Sequence, residues 1–224
     1  MCGRFTSLLS PELLVAIGAL FGVQMPESVE PRYNLAPTQQ VWVIRNEGDH
    51  NRLDLMKWGI IPSWAKDPKI GSQLINARCE TVSEKPAFRQ AVKYRRCIVP
   101  AEGYYEWSHV DDKKQPHYIH MADNGLMALA GLWEQWKQPG EEKLLETFSI
   151  LTTVANELVA PIHDRMPVIL HPDDYGLWLS RNMHDPDQLC RLYQPFPPNL
   201  LDAYKVPDLV NNPKFDSPTC IAQV

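Results

Sequence analysis

Hydrophobic and polar positions along this chain switch between two periods. In SPELLVAIGALFG, Leu13, Leu14, Ile17, Leu20 and Phe21 recur at helical spacing. Ser10 stands at the N-cap, Pro11 at the first helical position and Gly22 at the end, so a helix is predicted between them. VWVIR (Val41 to Arg45), the polar turn EGDHN and LDLMKW then predict a hairpin. CIVPAEGYYEWS holds two extended pieces, and in the second Tyr104, Glu106 and Ser108 share one face against Tyr105 and Trp107. The turn DDKKQP leads to HYIHM, and LMALAGLW and TFSILTT bring the expectation to at least six strands. Helices are predicted again from Asn156 as N-cap of NELVAPIH, in HPDDYGLWLSR, and in DPDQLCRLY behind Asp185-Pro186. From Tyr193 the chain is Pro-rich and aperiodic, and is expected to wrap the surface as loop. No repeat, low-complexity segment or linker divides residues 1–224. Short strands joined by hairpins, with helices set aside, predict a single α+β domain around a curved, mostly antiparallel sheet.

Composition adds three restrictions. The 20 prolines fit a loop-rich fold with few long helices, and 224 residues suffice for a real core. A net charge of −5 gives no general attraction to nucleic acid, so any DNA contact has to come from a local patch of arginines. Cysteines stand at positions 2, 79, 97, 190 and 220, an odd number with no tight pairing pattern. No segment reads as a signal peptide, and no apolar stretch approaches the roughly 20 residues a bilayer needs. The expectation is a cytosolic protein with reduced thiols and no membrane contact.

The familiar signatures GxGxxG, GxSxG, HExxH and the P-loop are absent. His117 and His120 in HYIH point to opposite faces of a strand, and no CxxC completes a site, so neither a metal nor a cofactor is expected. Five polar stretches carry the candidate chemistry. MCGRF places Cys2 where removal of Met1 leaves an α-amine and a thiol on one residue. Exposed groups of these kinds titrate near ~8 and ~8.5, and the pair condenses with an aldehyde to a thiazolidine. The plainer reading is an early residue in a frayed terminus. RYNLAPTQ runs into the rigid turn Ala36-Pro37. LINARCET puts Asn76, Arg78 and Glu80 on one face if extended, as reacting groups or as a structural hydrogen-bond network. Glu106 lies between Tyr105 and Trp107, either as a carboxyl with a raised pKa or as a surface ion-pair partner. In PIHDRMP, His163 is flanked by Asp164 and Arg165 between two prolines.

Together MCGRF, RYNLAPTQ, WGIIPSWAKD, INARCET, RCIVPAEGYYEW, TTVAN and IHDRMPVIL resemble, in order, the SOS-response-associated peptidase (SRAP) family of abasic-site sensors. The resemblance runs from residue 2 to about residue 215 and implies a barrel-like SRAP core. It implies that Cys2 forms a thiazolidine with the ring-opened sugar of an abasic site in single-stranded DNA. By the same resemblance Asn76 positions the Cys2 amine and the sugar, Glu106 assists ring opening, and His163 shuttles protons. Arg4, Arg78 and Arg165 match arginines that grip flanking phosphates, and Thr152 matches a threonine near the sugar. Pro37 and Trp64 fall where flanking bases are supported, with Ala65 where some relatives carry a second aromatic. Trp58 is read as core. Autocatalytic loss of Met1, weak lyase activity through an imine, and a monomer complete the expectation. Two rivals remain: an N-terminal cysteine amidohydrolase, and a passive single-strand-binding module in which Cys2 is incidental.

Overall fold

The structure, a computed structural model, describes residues 2–110, 113–138, 140, 142 and 144–224. Asp111 and Asp112 of the DDKKQP turn lie outside these, as does Met1. The strands are β1 (Phe5–Ser7), β2 (Arg32–Leu35), β3 (Gln40–Glu47), β4 (His50–Trp58), β5 (Asn76–Arg78) and β6 (Arg96–Ala101). They continue with β7 (Gly103–Val110), β8 (Lys113–Met121), β9 (Met127–Lys137), β10 (Leu144–Val154), β11 (Arg165–Pro167) and β12 (Leu201–Lys205). Around one sheet β10, β4, β3, β6 and β9 follow in order, and β9 pairs back onto β10. That return pairing closes the sheet into a barrel, which removes its exposed edges. A second sheet, β12-β8-β7-β1-β2, is antiparallel throughout. The parallel pairs are β4 and β5 against β10.

Local chemistry explains the elements. The first helix, α1 (Pro11–Phe21), has the Ser10 hydroxyl accepting from Leu13 N–H at 3.3 Å, and Gly22 in the left-handed region ends it. Leu14, Ile17 and Phe21 form its buried stripe, while Leu20 is exposed. At 3.6 residues per turn Leu20 lies roughly a quarter turn off that stripe. The hairpin β3–β4 turns on two residues, Gly48 and Asp49, with Gly48 at φ 70° where a type II′ turn needs glycine.

Two expectations are corrected. Asn156 does cap, accepting Val159 N–H on its side chain at 3.0 Å, but no helix follows. Pro161 lacks an N–H, and the amides of Ile162 and His163 both fold back onto the Val159 carbonyl. The helix α2 (Arg89–Tyr94) had no prediction, whereas HPDDYGLWLSR does turn helical, a 3₁₀ turn (Pro172–Asp174) running into the short α3 (Tyr175–Leu179), and DPDQLCRLY forms α4 (Pro186–Arg191) behind its Asp185 cap. The tail after Tyr193 is not all loop, because β12 pairs with β8 over five residues. Beyond it the tail is clamped: the Asn34 amide donates to the Val210, Asn212 and Phe215 carbonyls, and Asp216 receives Arg32 and the amides of Tyr33 and Asn34.

The largest apolar cluster packs the helices on the barrel; a second joins β1 and β7 to it and includes Phe5, Trp58, Tyr104, Phe148 and Cys2. Trp58 is core, edge-on to Phe5 at 4.9 Å. The glycine of WGII has a packing reason, since a Cβ on Gly59 (φ 117°) would stand 2.5 Å from the Gly71 carbonyl oxygen. Gly59→Ala is expected to destabilise the fold by roughly 2–6 kcal/mol, from backbone strain plus overpacking. Urea unfolding checks this; a loss below 1 kcal/mol would mean the two backbones part easily.

Candidate active site

The N-terminal segment is held, not frayed. The Arg4 carbonyl accepts the Tyr105 N–H at 2.9 Å, Phe5 pairs with Tyr104 and Thr6 with Gly103, so residues 4–6 run beside β7. Cys2 is 0% exposed, which removes the frayed-terminus reading. Burial, reinforced by the nearby Glu106 carboxylate, pushes its thiol far above the ordinary range. The value of an exposed thiol therefore does not apply to Cys2, because low polarity disfavours the thiolate. The Asn76 side chain reaches Cys2 from β5, its Nδ2 donating to the Cys2 carbonyl at 2.8 Å. Its Oδ1 is buried and accepts nothing among the described residues.

Glu106 projects from β7 at 2% exposure, so the surface ion-pair reading does not apply. Burial raises its carboxyl pKa. Glu106 and His163 line one open cleft of about 320 Å³ with Trp107, His109, Lys114 and Asn211. His163 Nδ1 lies 3.0 Å from the Arg165 backbone N–H, which needs a lone pair there, and 2.9 Å from Asp164 Oδ1, which needs a proton. Protonation therefore exchanges one partner for the other.

The structure brings Cys2, Asn76, Glu106 and His163 together from four separate segments. The arginines divide. Arg78, the last residue of β5, is exposed. Arg4 is occupied inside the fold, with Nη1 donating to Asn34 Oδ1 and the Val210 carbonyl, both at 2.7 Å. Arg165 is buried, its guanidinium forked onto Glu80 at 2.6 and 3.0 Å, which holds that carboxyl below the usual range. Glu80 itself follows the end of β5 and does not share a strand face with Asn76 and Arg78. Thr152 is fully buried. Pro37 sits half-buried in a turn, and Trp64 is 59% exposed, beside the buried Ala65. His117 and His120 on β8 each bond a neighbouring carbonyl. No cluster of three or more His, Cys, Asp or Glu suited to a metal occurs among the described residues.

Sequence reasoning missed three cleft residues. His109 and Lys114 face each other across the β7–β8 pair, and Asn211 comes from the tail, accepting the Trp107 indole N–H at 2.7 Å. No local signal marks Asn211, whose position depends on the clamped tail.

A family model described as SOS response associated peptidase (SRAP) matches residues 1–213. The chain belongs to the SRAP family. As a member it is 46% identical over 225 residues to the abasic site processing protein YoqW of Bacillus subtilis (strain 168), covering 99% of each chain. It is 33% identical over 186 residues to the abasic site processing protein YedK of Escherichia coli (strain K12), covering 82% of this chain and 81% of that one. Among solved structures, a protein from Bacteroides thetaiotaomicron has a TM-score of 0.89 at 27% identity, covering 100% of both chains. The SRAP fold is thus this curved, mostly antiparallel barrel with its few short helices. No helix among the described residues is long and apolar enough to cross a membrane.

Proposed function

We propose that this SRAP protein processes abasic sites in single-stranded DNA by linking Cys2 covalently to the ring-opened sugar. The observation that carries the reading is the burial of Cys2 against Asn76 and beside Glu106. Once Met1 is removed, by the protein itself or by an aminopeptidase, the Cys2 amine attacks the sugar aldehyde and a carbinolamine forms. Loss of water leaves an iminium, the thiol sulfur bonds to the same carbon, and the thiol proton departs. One aldehyde and one aminothiol give one thiazolidine and one water.

The residues suit these steps. Glu106, its carboxyl pKa raised by burial, donates the proton that opens the sugar and releases the hydroxyl. His163, able to hold Nδ1 in either state, accepts the thiol proton. Asn76 fixes the Cys2 carbonyl and leaves an acceptor oxygen for the amine. A buried thiol stays neutral until the positive iminium forms beside it, so the amine acts first. The same burial disfavours the amidohydrolase alternative, in which a thiolate leads. The imine is also competent for β-elimination, which gives weak lyase activity.

Intact mass after mixing with an oligonucleotide carrying one abasic site tests the reading: an adduct of protein lacking Met1, lighter by one water than the sum, is expected. No adduct, or an adduct retaining Met1, rejects it. Arg78 is assigned to a flanking phosphate, and Trp64 and Pro37 to the neighbouring bases. Affinity for single strands should fall with salt, and Arg78→Ala should flatten the slope by about 0.7. An unchanged slope in a salt titration removes Arg78 from the interface.

A further inference from the structure

We propose that Glu80 is a positioning residue, holding Arg165 as a brace that ties the strand carrying Asn76 and Arg78 to the turn carrying His163. The inference rests on the reading of Asn76 and His163 as members of the reacting group. It also gives Arg165 a role other than gripping phosphate.

The topology makes a brace necessary. At Thr152, β10 has Arg78 of β5 on one edge and Pro167 of β11 on the other. Both β5 and β11 are three residues long, so each has few ladder bonds to fix its position. Arg165, opposite Val154, extends over β10 to the far edge. There Nη1 meets Glu80 Oε1 at 2.6 Å and Nη2 meets Oε2 at 3.0 Å. Nη2 also donates to the Thr152 carbonyl at 2.7 Å, and that same oxygen accepts the Cys79 N–H at 2.9 Å. One carbonyl of the central strand therefore anchors the end of β5 and the brace together. A forked guanidinium–carboxylate pair is geometrically exacting, so it transmits position as well as attraction.

The other end of the brace sets the histidine. Arg165 backbone N–H donates to His163 Nδ1 and so favours the Nε2–H form of the neutral ring, against Asp164 Oδ1, which at 2.9 Å calls for a proton on Nδ1. If Arg165 shifts, that donor shifts with it. Glu80 is 47% exposed on its side chain but Arg165 only 10%, so replacing Glu80 leaves a largely buried guanidinium without its carboxylate, and the fold of each variant is checked by its melting curve.

The test uses Glu80→Ala in the full chain with single-stranded abasic DNA. The rate of heat-stable adduct formation is expected to fall about tenfold to a hundredfold, as small misplacements of reacting groups do. The salt slope of binding is expected to stay at the wild-type value. Nitrogen-15 spectra of the His163 imidazole, assigned by its loss in His163→Ala, should shift from the Nε2–H tautomer toward the Nδ1–H one that Asp164 favours. A wild-type rate with unchanged His163 spectra overturns the proposal. So does tighter binding with a steeper slope, which would mean that Glu80 merely competes with phosphate for Arg165. Should Glu80→Ala fail to fold, Glu80→Gln is read by the same criteria. If the wild-type protein forms no adduct, the covalent reading fails, while the His163 spectra still decide the brace.

Discussion

Cys2→Ala should abolish the heat-stable DNA adduct while leaving the reaction's first half in place. Alanine keeps an N-terminal amine once Met1 is removed, and it is small enough for the buried site. The amine still forms an imine with the aldehyde, which borohydride traps, but no sulfur closes the ring. Imines hydrolyse, so denaturation should leave free protein. The expected readout is a strong band after borohydride and none without it. A heat-stable adduct at wild-type level without borohydride would refute the thiazolidine. The pair of outcomes also separates the passive binding module, for which loss of the thiol changes nothing.

Glu106→Gln should slow adduct formation by about 10²- to 10⁴-fold, the usual contribution of a positioned general acid. The same substitution should stabilise the fold, in a pH-dependent way whose sign follows from burial. Glu106 sits with its carboxyl pKa raised, so the folded state binds this proton more tightly than the unfolded chain does. Its contribution is most favourable below the unfolded value, near ~4.3, and is lost as pH rises through the folded value. Above that, the native protein carries a disfavoured buried charge, which glutamine lacks. Relative to wild type, Glu106→Gln should therefore gain more stability at pH 8 than at pH 4. Each kcal/mol gained amounts to about 2–4 °C in melting temperature for a chain of this size. A melting-temperature difference independent of pH would mean that the carboxyl titrates as if exposed. Slower chemistry with greater stability is the pattern expected of a group held in an unfavourable place for its function.

Much of the site was legible as a set of polar residues inside apolar stretches. Glu106 between aromatics and Asn76 in LINAR stood out because a buried polar group needs a reason, and both proved largely withdrawn from water. The strands were legible for the same cause in reverse: alternation and β-branched runs leave few other ways to bury the side chains. The arginines were not legible in this way. Arg4, Arg78 and Arg165 look alike along the chain, yet one is tied to Asn34 and the tail, one is forked onto Glu80, and one is exposed. A guanidinium's role depends on which acceptors lie within reach, and those acceptors lie 30 to 206 residues away in sequence for Arg4.

By itself the sequence determined the local elements with strong period or caps: α1 behind Ser10, the β3–β4 hairpin, and the extended GYYEW. It also determined the family, through motifs spread over almost the whole chain. Closure of the barrel through the β9–β10 pair, and the late strand β12 drawn from a proline-rich tail, were decided only in three dimensions. The character of Cys2 belongs there too. A residue at position 2 has no burial written in its neighbours; its thiol is held neutral because β7, Asn76 and the barrel core remove water from it. Periodicity is a local property that a chain carries into any fold, whereas desolvation and partner choice arise from contacts between distant segments.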